Sequence, residues 1–409
     1  METLDNEIHD SGNFIRDNND TDAIYDIHSI FLKNHKLTNN NRLPFLYWTA
    51  KLHKNPSSHR FITSGRNCST QPLSIIVGYC LKTVLNVVRS NAKYHRKLTN
   101  TNSCFIIDNR DSVISFIRRS NQIGNVHSVS TFDFKTLYTS IPHDKLKQKL
   151  ATVIRLGFTS RKKRFISVTG KMAFLSDGRK SELSFSTQQL IDCVNFIVDN
   201  SFIVYKGQVF RQCIGIPMGT NCAPFLANLF LFAYEFEFIN KLVHQHKFDV
   251  AYSLADSFRY QDDCLVFNDQ NDFLLNWKEI YPQELELVKT NNGNVCNFLD
   301  LTIDIVDGKF TYKRYDKRQD FDFEVINYPF LGSNIPHGPS YGVFISQLIR
   351  LCEVNSNLVE FQADLELLIH KLLLQNFDAK VIKKKFKQFF SNNIIRWSKF
   401  SSDIEHILD

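Results

Sequence analysis

Glycine, proline and long apolar runs are scarce in this sequence. Its 409 residues include 15 Gly and 10 Pro, which excludes collagen-like and low-complexity classes. The nine cysteines are an odd number without a Cys-x-x-Cys pair, so we expect neither that type of zinc site nor a disulfide framework, and a reducing compartment fits better. Residues 1–26 carry no apolar signal-peptide segment, and the most apolar stretch, residues 223–234, is too short to span a bilayer. We therefore expect no membrane partner and a protein that is soluble or at most peripheral.

Apolar and aromatic residues, in contrast, are abundant. Hydrophobic residues make up 43% of the chain, and 36 residues are Phe, which supports a large core and excludes a mostly disordered chain. At ~150 residues per domain, the length predicts two or three structural units. The 49 Lys and Arg exceed the 42 Asp and Glu, giving a net charge of +7. This charge is compatible with a polyanionic partner but does not identify one.

The pattern of apolar residues predicts the order of the main elements. Residues 1–40 are rich in Asp and Asn and are expected to be weakly ordered, with one helix near residues 25–33. Periodicity and turn residues then predict the remaining elements. These are helices over 72–90, 142–155 and 223–242, a strand over 126–134, hairpins over 204–210, 258–267 and 298–314, and a mainly helical region over 341–400.

Three acidic residues lie where two of the predicted elements end or turn. Asp133 lies at the end of the predicted strand, and Asp262 and Asp263 lie at a hairpin tip. If these elements are neighbours in one sheet, the carboxylates converge and offer the oxygen ligands that Mg²⁺ prefers. Two such ions about 4 Å apart bind both the attacking and the leaving oxygen of a phosphoryl transfer. The alternative, that strand ends and turns simply favour Asp, is the commoner one for an isolated Asp-Asp pair, so the surrounding residues have to decide.

The segments around these acids resemble the motifs of a known enzyme family. Residues 131–138 read TFDFKTLY, residues 215–220 read GIPMGT and residues 260–263 read YQDD, and in this order they resemble motifs A, B and C of reverse transcriptases. Further segments resemble the Penelope-like retroelement branch. They are FDFKTLYTSIP at 132–142, YWTAKLHK at 47–54 followed by RFI at 60–62, NFLDL at 297–301, YDKR at 315–318 and SNIP at 333–336. The resemblance covers about residues 43–355.

The resemblance implies an α+β fold of the right-hand polymerase type, with fingers, an antiparallel-sheet palm and a helical thumb. Residues 1–40 are then an N-terminal extension, residues 41–310 the fingers and palm, and residues 311–409 a thumb-like helical region. The implied reaction is the template-directed addition of dNTPs to the 3′-hydroxyl of a DNA primer on an RNA template.

The resemblance also implies roles for the residues of motif A and motif C. Asp133 and Asp262 match the main metal ligands, with Asp263 beside them and the backbone carbonyl of Phe134 as an additional ligand. The implied cofactor is a pair of Mg²⁺ ions, for which Mn²⁺ can substitute. Tyr138 matches the position whose ring lies under the sugar, where a bulky side chain excludes a 2′-hydroxyl and selects dNTPs over rNTPs. The alternative for Tyr138 alone is an ordinary core aromatic.

Four basic residues match positions that contact the triphosphate or the leaving group. Lys51, Lys54 and Arg60 fall in the fingers segment over the incoming nucleotide. Arg60 matches the Arg of the family's Arg-apolar-Ile element, and a guanidinium suits bidentate phosphate contact. For Lys51 and Lys54 the alternative is a solvated loop charge. Lys289 falls where motif D carries a lysine that protonates the pyrophosphate leaving group, and here the alternative is a surface lysine.

Two further segments match parts that position the substrates. In the motif B loop, Gly215 and Gly219 permit a tight turn and a close approach to the nucleotide or template, and Met218 stands where many relatives have Gln. Phe298 and Leu299 match the hairpin that grips the primer end and places its 3′-hydroxyl near attack distance. The alternative for Phe298 is a core strand, and both readings can hold.

The C-terminal segment is strongly basic. Residues 379–400 contain six Lys, one Arg and no acid, which fits a thumb helix that follows a duplex backbone through salt-dependent, sequence-independent contacts. The implied contacts are Lys380, Lys383, Lys384 and Lys387. The alternatives are a solvated helix face or a nuclear targeting signal. A second basic run, residues 161–164, stays open between a template contact and an exposed loop.

Together these features predict an RNA-directed DNA polymerase of a retroelement. Three rival functions stay open: an RNA-dependent RNA polymerase, against which Tyr138 and the YQDD sequence argue; an element-derived nucleic-acid-binding protein without catalysis; and an inactive fragment of an element. Penelope-like relatives often continue into a GIY-YIG endonuclease, and no such domain is recognised in this sequence. Localisation is expected to be nuclear by family analogy, with the cytoplasm as the alternative. The oligomeric state is not predicted.

Overall fold

The structure is a computed structural model that describes residues 2–38, 40–52, 58–269, 272–291, 293–393 and 400. The helices, in chain order, are α1 (Glu2–His9), α2 (Thr21–Asn34), α3 (Gln71–Thr99), α4 (Asp111–Ile123), α5 (Leu137–Ser140), α6 (His143–Ser160), α7 (Thr187–Asp199), α8 (Ala223–His244), α9 (Phe248–Ser253), α10 (Asp272–Ile280), α11 (His337–Ser340), α12 (Gly342–Val354), α13 (Leu358–Leu373) and α14 (Ala379–Asn392). The strands are β1 (Phe14–Arg16), β2 (Leu46–Lys51), β3 (Ser58–Thr63), β4 (Val129–Lys135), β5 (Phe165–Thr169), β6 (Met172–Ser176), β7 (Ser184–Ser186), β8 (Phe202–Tyr205), β9 (Gln208–Gln212), β10 (Ser257–Tyr260), β11 (Asp263–Phe267), β12 (Glu286–Lys289), β13 (Cys296–Phe298), β14 (Leu301–Val306) and β15 (Lys309–Arg314).

The chain divides into two compact units. Unit 1 comprises Met1–Lys51, Asn55–Asp108 and Phe132–Lys289, and unit 2 comprises Leu52–Lys54, Asn109–Thr131 and Thr290–Asp409.

The core of unit 1 is formed by the long helices α3, α6, α7 and α8, which pack on one another. α8 is apolar around most of its circumference, and Phe230 and Leu231 are fully buried on it, as expected for a helix inside a core. α3 is long and apolar enough to cross a membrane by length and composition. Its apolar side, with Val77 and Leu81, is however buried within the same cluster, and a core helix passes the same test.

The sheet that carries the predicted acids has four strands in the order β10-β11-β4-β12. β10 and β11 form an antiparallel hairpin in which Tyr260 pairs with Asp263, and β12 runs antiparallel to β4. Successive residues of a strand face opposite sides. Phe132 and Phe134 are accordingly buried in the core, whereas Asp133 between them is half-buried on the other face. The alternation of β4 thus turns its single acid away from the core.

The N-terminal segment is more regular than the weakly ordered extension expected from its composition. α1, β1 and α2 occupy much of it, and α2 confirms the helix expected near residues 25–33. Ile8, Ile24 and Leu32 are buried, and β1 pairs antiparallel with β9. A few apolar residues therefore anchor a polar segment through tertiary contacts, which composition does not reveal.

The predicted helices are present but end later than their apolar stripes suggest. α3 continues to Thr99 rather than ending near residue 90, because Ala92 is still buried and the Lys and Arg residues around it are good helix formers. Asn100, in the left-handed conformation, ends the helix. α6 likewise continues to Ser160.

Unit 2 contains the sheet β13-β14-β15 with the helices α4 and α11–α14. α4, α12 and α13 pack on β15. A largely buried ion-pair network connects the end of β15 to α13, because Arg314 contacts Asp316 at 2.9 Å and Asp364 at 2.7 Å. The helical region predicted after residue 341 is confirmed by α12, α13 and α14.

Candidate active site

A backbone hydrogen bond joins the two acidic segments. The amide of Phe134, which follows Asp133 in β4, donates to the carbonyl oxygen of Asp262 at 3.2 Å. Asp262 is the second residue of the two-residue turn between β10 and β11, and Gln261 before it has φ +56°. Asp262 is half-buried and Asp263 is exposed. The fold thus brings Asp133 and the Asp262–Asp263 pair onto neighbouring stretches of backbone, although they are far apart in sequence.

Tyr138 lies close to the hairpin acids. Thr136 has φ +51° and turns the chain from β4 into α5, which carries Tyr138. Burial, together with the nearby Asp262 carboxylate, raises the pKa of Tyr138 to about 12, while Arg259 and Arg60 act in the opposite direction. The phenol is therefore neutral at physiological pH, and these influences place it within electrostatic reach of both Asp262 and Arg60.

The loop of residues 215–219 packs against the backbone at Tyr138. The amide of Ile216 donates to the Tyr138 carbonyl at 2.6 Å, and the amide of Gly215 donates to the Ile141 carbonyl at 2.8 Å. Gly215 has φ +88°, and a Cβ added there would lie 2.5 Å from the Tyr138 carbonyl oxygen. Glycine is therefore needed for this close approach.

The same loop also contacts strand β3. The amide of Thr63 donates to the Met218 carbonyl at 2.6 Å. Gly219 has φ +123°, and a Cβ added there would lie 2.1 Å from the Thr63 carbonyl oxygen. Arg60 is exposed on β3, on the same strand as Thr63. The predicted nucleotide-binding residues Arg60, Tyr138, Met218 and Gly219 consequently lie in one region of unit 1.

Of the two lysines predicted to lie in the fingers, Lys51 and Lys54, the structure describes only Lys51. Lys51 ends β2 and is half-buried. In the β2–β3 hairpin Thr49 pairs with Arg60, and Lys51, two residues after Thr49, shares that face. Lys54 lies outside the described residues. Lys51 is thus the fingers lysine that accompanies Arg60 on one side of the hairpin.

Lys289 lies on β12, the strand that pairs with β4. It is exposed at the end of β12 and pairs in register with Phe132, whereas Val288 is opposite Asp133. Directly paired residues point to the same side of a sheet, so the Lys289 side chain leaves on the face opposite to that of Asp133. This register favours the surface-lysine alternative, and the general-acid role of Lys289 stays a prediction.

Phe298 and Leu299 lie in unit 2, at the turn between β13 and β14. Phe298 is buried, and Leu299 has φ +56°. The next residue, Asp300, contacts Arg110 at 2.8 Å and Arg350 at 3.1 Å, which fixes the turn to α4 and α12. The burial of Phe298 fits the core-strand alternative, and the primer-gripping role stays a prediction.

The lysines predicted to contact a duplex form one exposed face of α14. They are Lys380, Lys383, Lys384 and Lys387. Ile382, Phe386 and Phe389 on the other side of the helix are buried, and α14 contains no acidic residue. The side chain of Asp378 caps the N-terminus of the helix. Unit 2 therefore presents a positively charged helical surface, which we call the α14 lysine face.

Sequence reasoning missed a buried ion pair behind the acidic hairpin. Glu235 in the apolar helix α8 and Arg259 in β10 are both fully buried, and the Arg259 Nε lies 2.5 Å from the Glu235 Oε1. A buried charge needs a partner. α8 contains only two acids, Glu235 and Glu237, in an otherwise largely apolar sequence, and Arg259 is the one charged residue of β10. A charged residue of each sign among apolar neighbours is the sequence signal for such a pair.

The acids are suitable in kind for binding Mg²⁺. The carboxylates of Asp133, Asp262 and Asp263 and a backbone carbonyl are hard oxygen donors. The nearby cation Arg259 does not neutralise them, because its guanidinium is directed to Glu235. Within the part of the chain that is described, no group of three or more His, Cys, Asp or Glu side chains that could hold a metal ion is found. Mg²⁺ takes few protein ligands and completes its shell with water and substrate phosphates, and its binding by these acids stays a prediction.

Comparison with known proteins gives a likeness of fold. No protein-family model and no curated protein matches the chain. Telomerase from Candida albicans, solved in complex with a TWJ fragment of telomeric RNA, has a TM-score of 0.52 and 13% identity, with 96% of this chain and 60% of that chain covered. Apo telomerase from Candida tropicalis, truncated from the C-terminal domain, has a TM-score of 0.48 and 13% identity, with 76% of this chain and 58% of that chain covered.

The chain thus spans about 60% of the length of these two telomerase chains. Its mixed α/β fold resembles that of telomerase reverse transcriptase. The predicted reverse-transcriptase type of fold is confirmed at this coarse level.

Proposed function

We propose that the protein is an RNA-directed DNA polymerase of a Penelope-like retroelement. The observation that supports this most is the meeting, within unit 1, of Asp133 and Asp262 with Tyr138, Arg60 and the Met218–Gly219 loop. These groups come from four separate segments of the chain, and core packing alone gives no reason for acids, a guanidinium and a closely packed glycine loop to lie together. The telomerase-like fold adds independent support.

The proposed reaction extends a primer by one nucleotide at a time. The primer 3′-hydroxyl oxygen attacks the α-phosphorus of a dNTP, a new P–O bond forms, the bond to pyrophosphate breaks, and the hydroxyl proton passes to solvent. Asp133, Asp262, Asp263 and the Phe134 carbonyl would hold two Mg²⁺ ions, which would supply charge neutralisation for the attacking and leaving oxygens. Arg60 binds the triphosphate.

The remaining residues orient and select the substrates. Tyr138 packs under the sugar and excludes a 2′-hydroxyl. The Met218–Gly219 backbone, held against Thr63, borders the nucleotide. The α14 lysine face binds the phosphates of the template–primer duplex. RNA as the template is proposed from the family resemblance, and the likeness to a telomerase solved with an RNA fragment is consistent with it.

Primer extension with an Asp262→Asn variant tests this function. Oligo(dT) on poly(rA), with dTTP and Mg²⁺, should be extended by the wild type. Asp262→Asn keeps the side-chain shape but removes the charge, and we expect extension to fall by more than about a hundredfold, since even residues that only orient metal ligands cost about 10- to 100-fold.

Asp177→Asn is the matched control. Asp177 lies on the surface of the same unit in contact with Lys163 at 2.7 Å, and it follows β6, which belongs to a different sheet from that of the acids. Its replacement therefore removes the same charge away from the acidic hairpin and should leave extension intact. A wild type that binds primer–template but does not extend it would favour the rival without catalysis. Equal extension by the wild type and Asp262→Asn would remove the proposed mechanism.

A further inference from the structure

All five N–H donors of the fully buried Arg259 have acceptors. Nε donates to Glu235 Oε1 at 2.5 Å, and Nη2 donates to Glu235 Oε2 and to the Asn228 carbonyl, both at 3.3 Å. Nη1 donates to Asn228 Oδ1 at 2.8 Å and to the Gln261 carbonyl at 3.0 Å. A guanidinium offers five donors in a rigid planar fork, so this network uses its full capacity.

The network is anchored on rigid elements. Asn228 and Glu235 are seven residues apart in α8, two turns along one face of the helix. The backbone of Arg259 is held as well, because its amide donates to the Phe105 carbonyl at 2.6 Å and its carbonyl accepts from the Ile107 amide at 2.9 Å. The guanidinium therefore has little freedom to move.

One hydrogen bond of the network connects Arg259 to the acidic hairpin. Gln261, whose carbonyl accepts from Nη1, is the first residue of the two-residue turn and has φ +56°, a conformation that non-glycine residues adopt at a cost. The next two residues are Asp262 and Asp263. The Arg259 guanidinium stabilises this turn through a charged hydrogen bond. Because the conformation of the turn sets the orientation of the Asp262 and Asp263 side chains, the bond also orients the two acids.

Stability alone is a poor reason for such a network. A buried ion pair often contributes no more to folding than well-packed apolar residues of the same volume. What apolar residues do not provide is a directional bond to the Gln261 carbonyl. The arrangement thus favours a role in orientation over a role in stability.

We propose that Arg259 is a positioning residue, which fixes the Gln261 turn against α8 and thereby presents Asp262 and Asp263 for metal binding. The inference rests on the proposed polymerase function. Arg259 does not touch substrate or metal in this role, and it acts through the backbone of the turn.

Arg259→Lys tests the proposal, because lysine keeps the positive charge for Glu235 but lacks the fork that also reaches Asn228 and Gln261. We expect the Mg²⁺ concentration for half-maximal primer extension to rise at least about tenfold, the order expected for a lost charged hydrogen bond, with partial rescue by Mn²⁺. The Kd for primer–template should stay unchanged. Amide hydrogen exchange of residues 260–264 should accelerate.

Arg314→Lys is the matched control, since Arg314 in unit 2 is also largely buried and ion-paired. It should lower the Tm without changing the Mg²⁺ dependence. If Arg259→Lys does not fold, the double variant Glu235→Met/Arg259→Met replaces the pair by apolar side chains of similar length and should show the same raised Mg²⁺ requirement and faster exchange.

Two results would overturn the proposal. One is a folded variant with wild-type Mg²⁺ dependence and wild-type exchange at residues 260–264. The other is an equal shift in Mg²⁺ dependence for Arg259→Lys and Arg314→Lys, which would indicate a general structural effect. Hydrogen exchange needs no activity. A wild type that does not extend primers would therefore contradict the proposed function, while exchange at the turn would still decide the role of Arg259.

Discussion

Tyr138 is the residue expected to decide which sugar the site accepts. Its carbonyl is held by the Ile216 amide, and its half-buried ring packs against the core of unit 1 and lies near Asp262. Tyr138→Ala should open space for a 2′-hydroxyl and raise rNTP use relative to dNTP use by at least about tenfold, or about 1.4 kcal/mol. Single-nucleotide incorporation with both substrates on one primed RNA measures this ratio.

Tyr138→Phe is the control for this prediction. It keeps the ring and loses only the hydroxyl, so discrimination should be retained. An alanine variant as selective as the wild type would show that the ring is not the barrier and would leave Tyr138 as an ordinary core aromatic.

His28 should make the fold sensitive to acid. Its Nδ1 lies 2.7 Å from Ser69 Oγ, and its Nε2 is buried without a hydrogen-bond partner among the described residues. Burial lowers the pKa of His28 from 6.5 to about 4. The unfolded chain therefore binds a proton more readily between these values, so stability is fully present above pH 6.5 and is lost as the pH falls towards 4.

The loss attributable to His28 is at most about 3 kcal/mol, at 1.36 kcal/mol per pH unit of that window. His28→Gln should flatten the pH dependence of the free energy of unfolding between pH 6.5 and 4, measured by denaturant titration. The exposed His246→Gln serves as control and should leave the slope as in the wild type. A His28→Gln slope equal to the wild-type slope would contradict the prediction.

For individual residues, the sequence predicts candidate site residues where they belong to a recognisable motif. Asp133, Asp262, Tyr138 and Arg60 lie in one region of unit 1, and the roles that the family resemblance implies for them stay predictions. The side on which a single side chain leaves a strand depends on register, and for that reason the sequence does not disclose the placement of Lys289. The charges of Glu235 and Arg259 stand out among apolar neighbours in the sequence, but the hydrogen bond from Arg259 to the Gln261 carbonyl depends on a three-dimensional match between a helix and a strand, which the sequence does not disclose.

At the scale of elements, periodicity predicts which segments are helices or strands better than where they end. α3 extends beyond its apolar stripe to Thr99, because the polar residues in its last turns have good helix propensity. The hairpins around Lys206-Gly207 and Asp307-Gly308 form where the turn residues predict them. β1 is three residues long and depends on pairing with β9, so no local pattern predicts it.

The proposed function of the α14 lysine face can be tested through the salt dependence of primer–template binding. Replacing Lys383, Lys384 and Lys387 by Gln should weaken primer–template binding and lower the slope of log K against log salt by about two to three, at roughly 0.9 per phosphate contact on a B-form duplex and somewhat less on other forms. Fluorescence anisotropy at several salt concentrations measures this slope.

The control removes the same charge from another exposed helical surface. Lys82, Lys93 and Lys97 lie on α3 in unit 1, and their triple replacement by Gln should leave the slope nearly unchanged. Equal slopes for the α14 variant and the wild type would favour a solvated helix face.

At the scale of the whole molecule, the order of motifs predicts the type of fold, but contiguous domain boundaries do not describe the units. Residues 109–131 join unit 2 rather than the neighbouring parts of the chain. Asn121 of α4 explains why, since its side chain exchanges hydrogen bonds of 2.8 Å with both backbone groups of Phe310 in β15. Asn121 and Phe310 are far apart in sequence, and no change of composition marks the boundary between the two units. The sequence therefore does not predict that residues 109–131 belong to unit 2.

The proposed metal site is formed by acids from two segments that are far apart in sequence. Electron paramagnetic resonance can count bound Mn²⁺ in a complex of the protein with RNA template, dideoxy-terminated primer and dNTP. We expect about two ions for the wild type and for Asp177→Asn, and a loss of bound Mn²⁺ in both Asp133→Asn and Asp262→Asn. Wild-type amounts of bound Mn²⁺ in either of the latter two variants would contradict it.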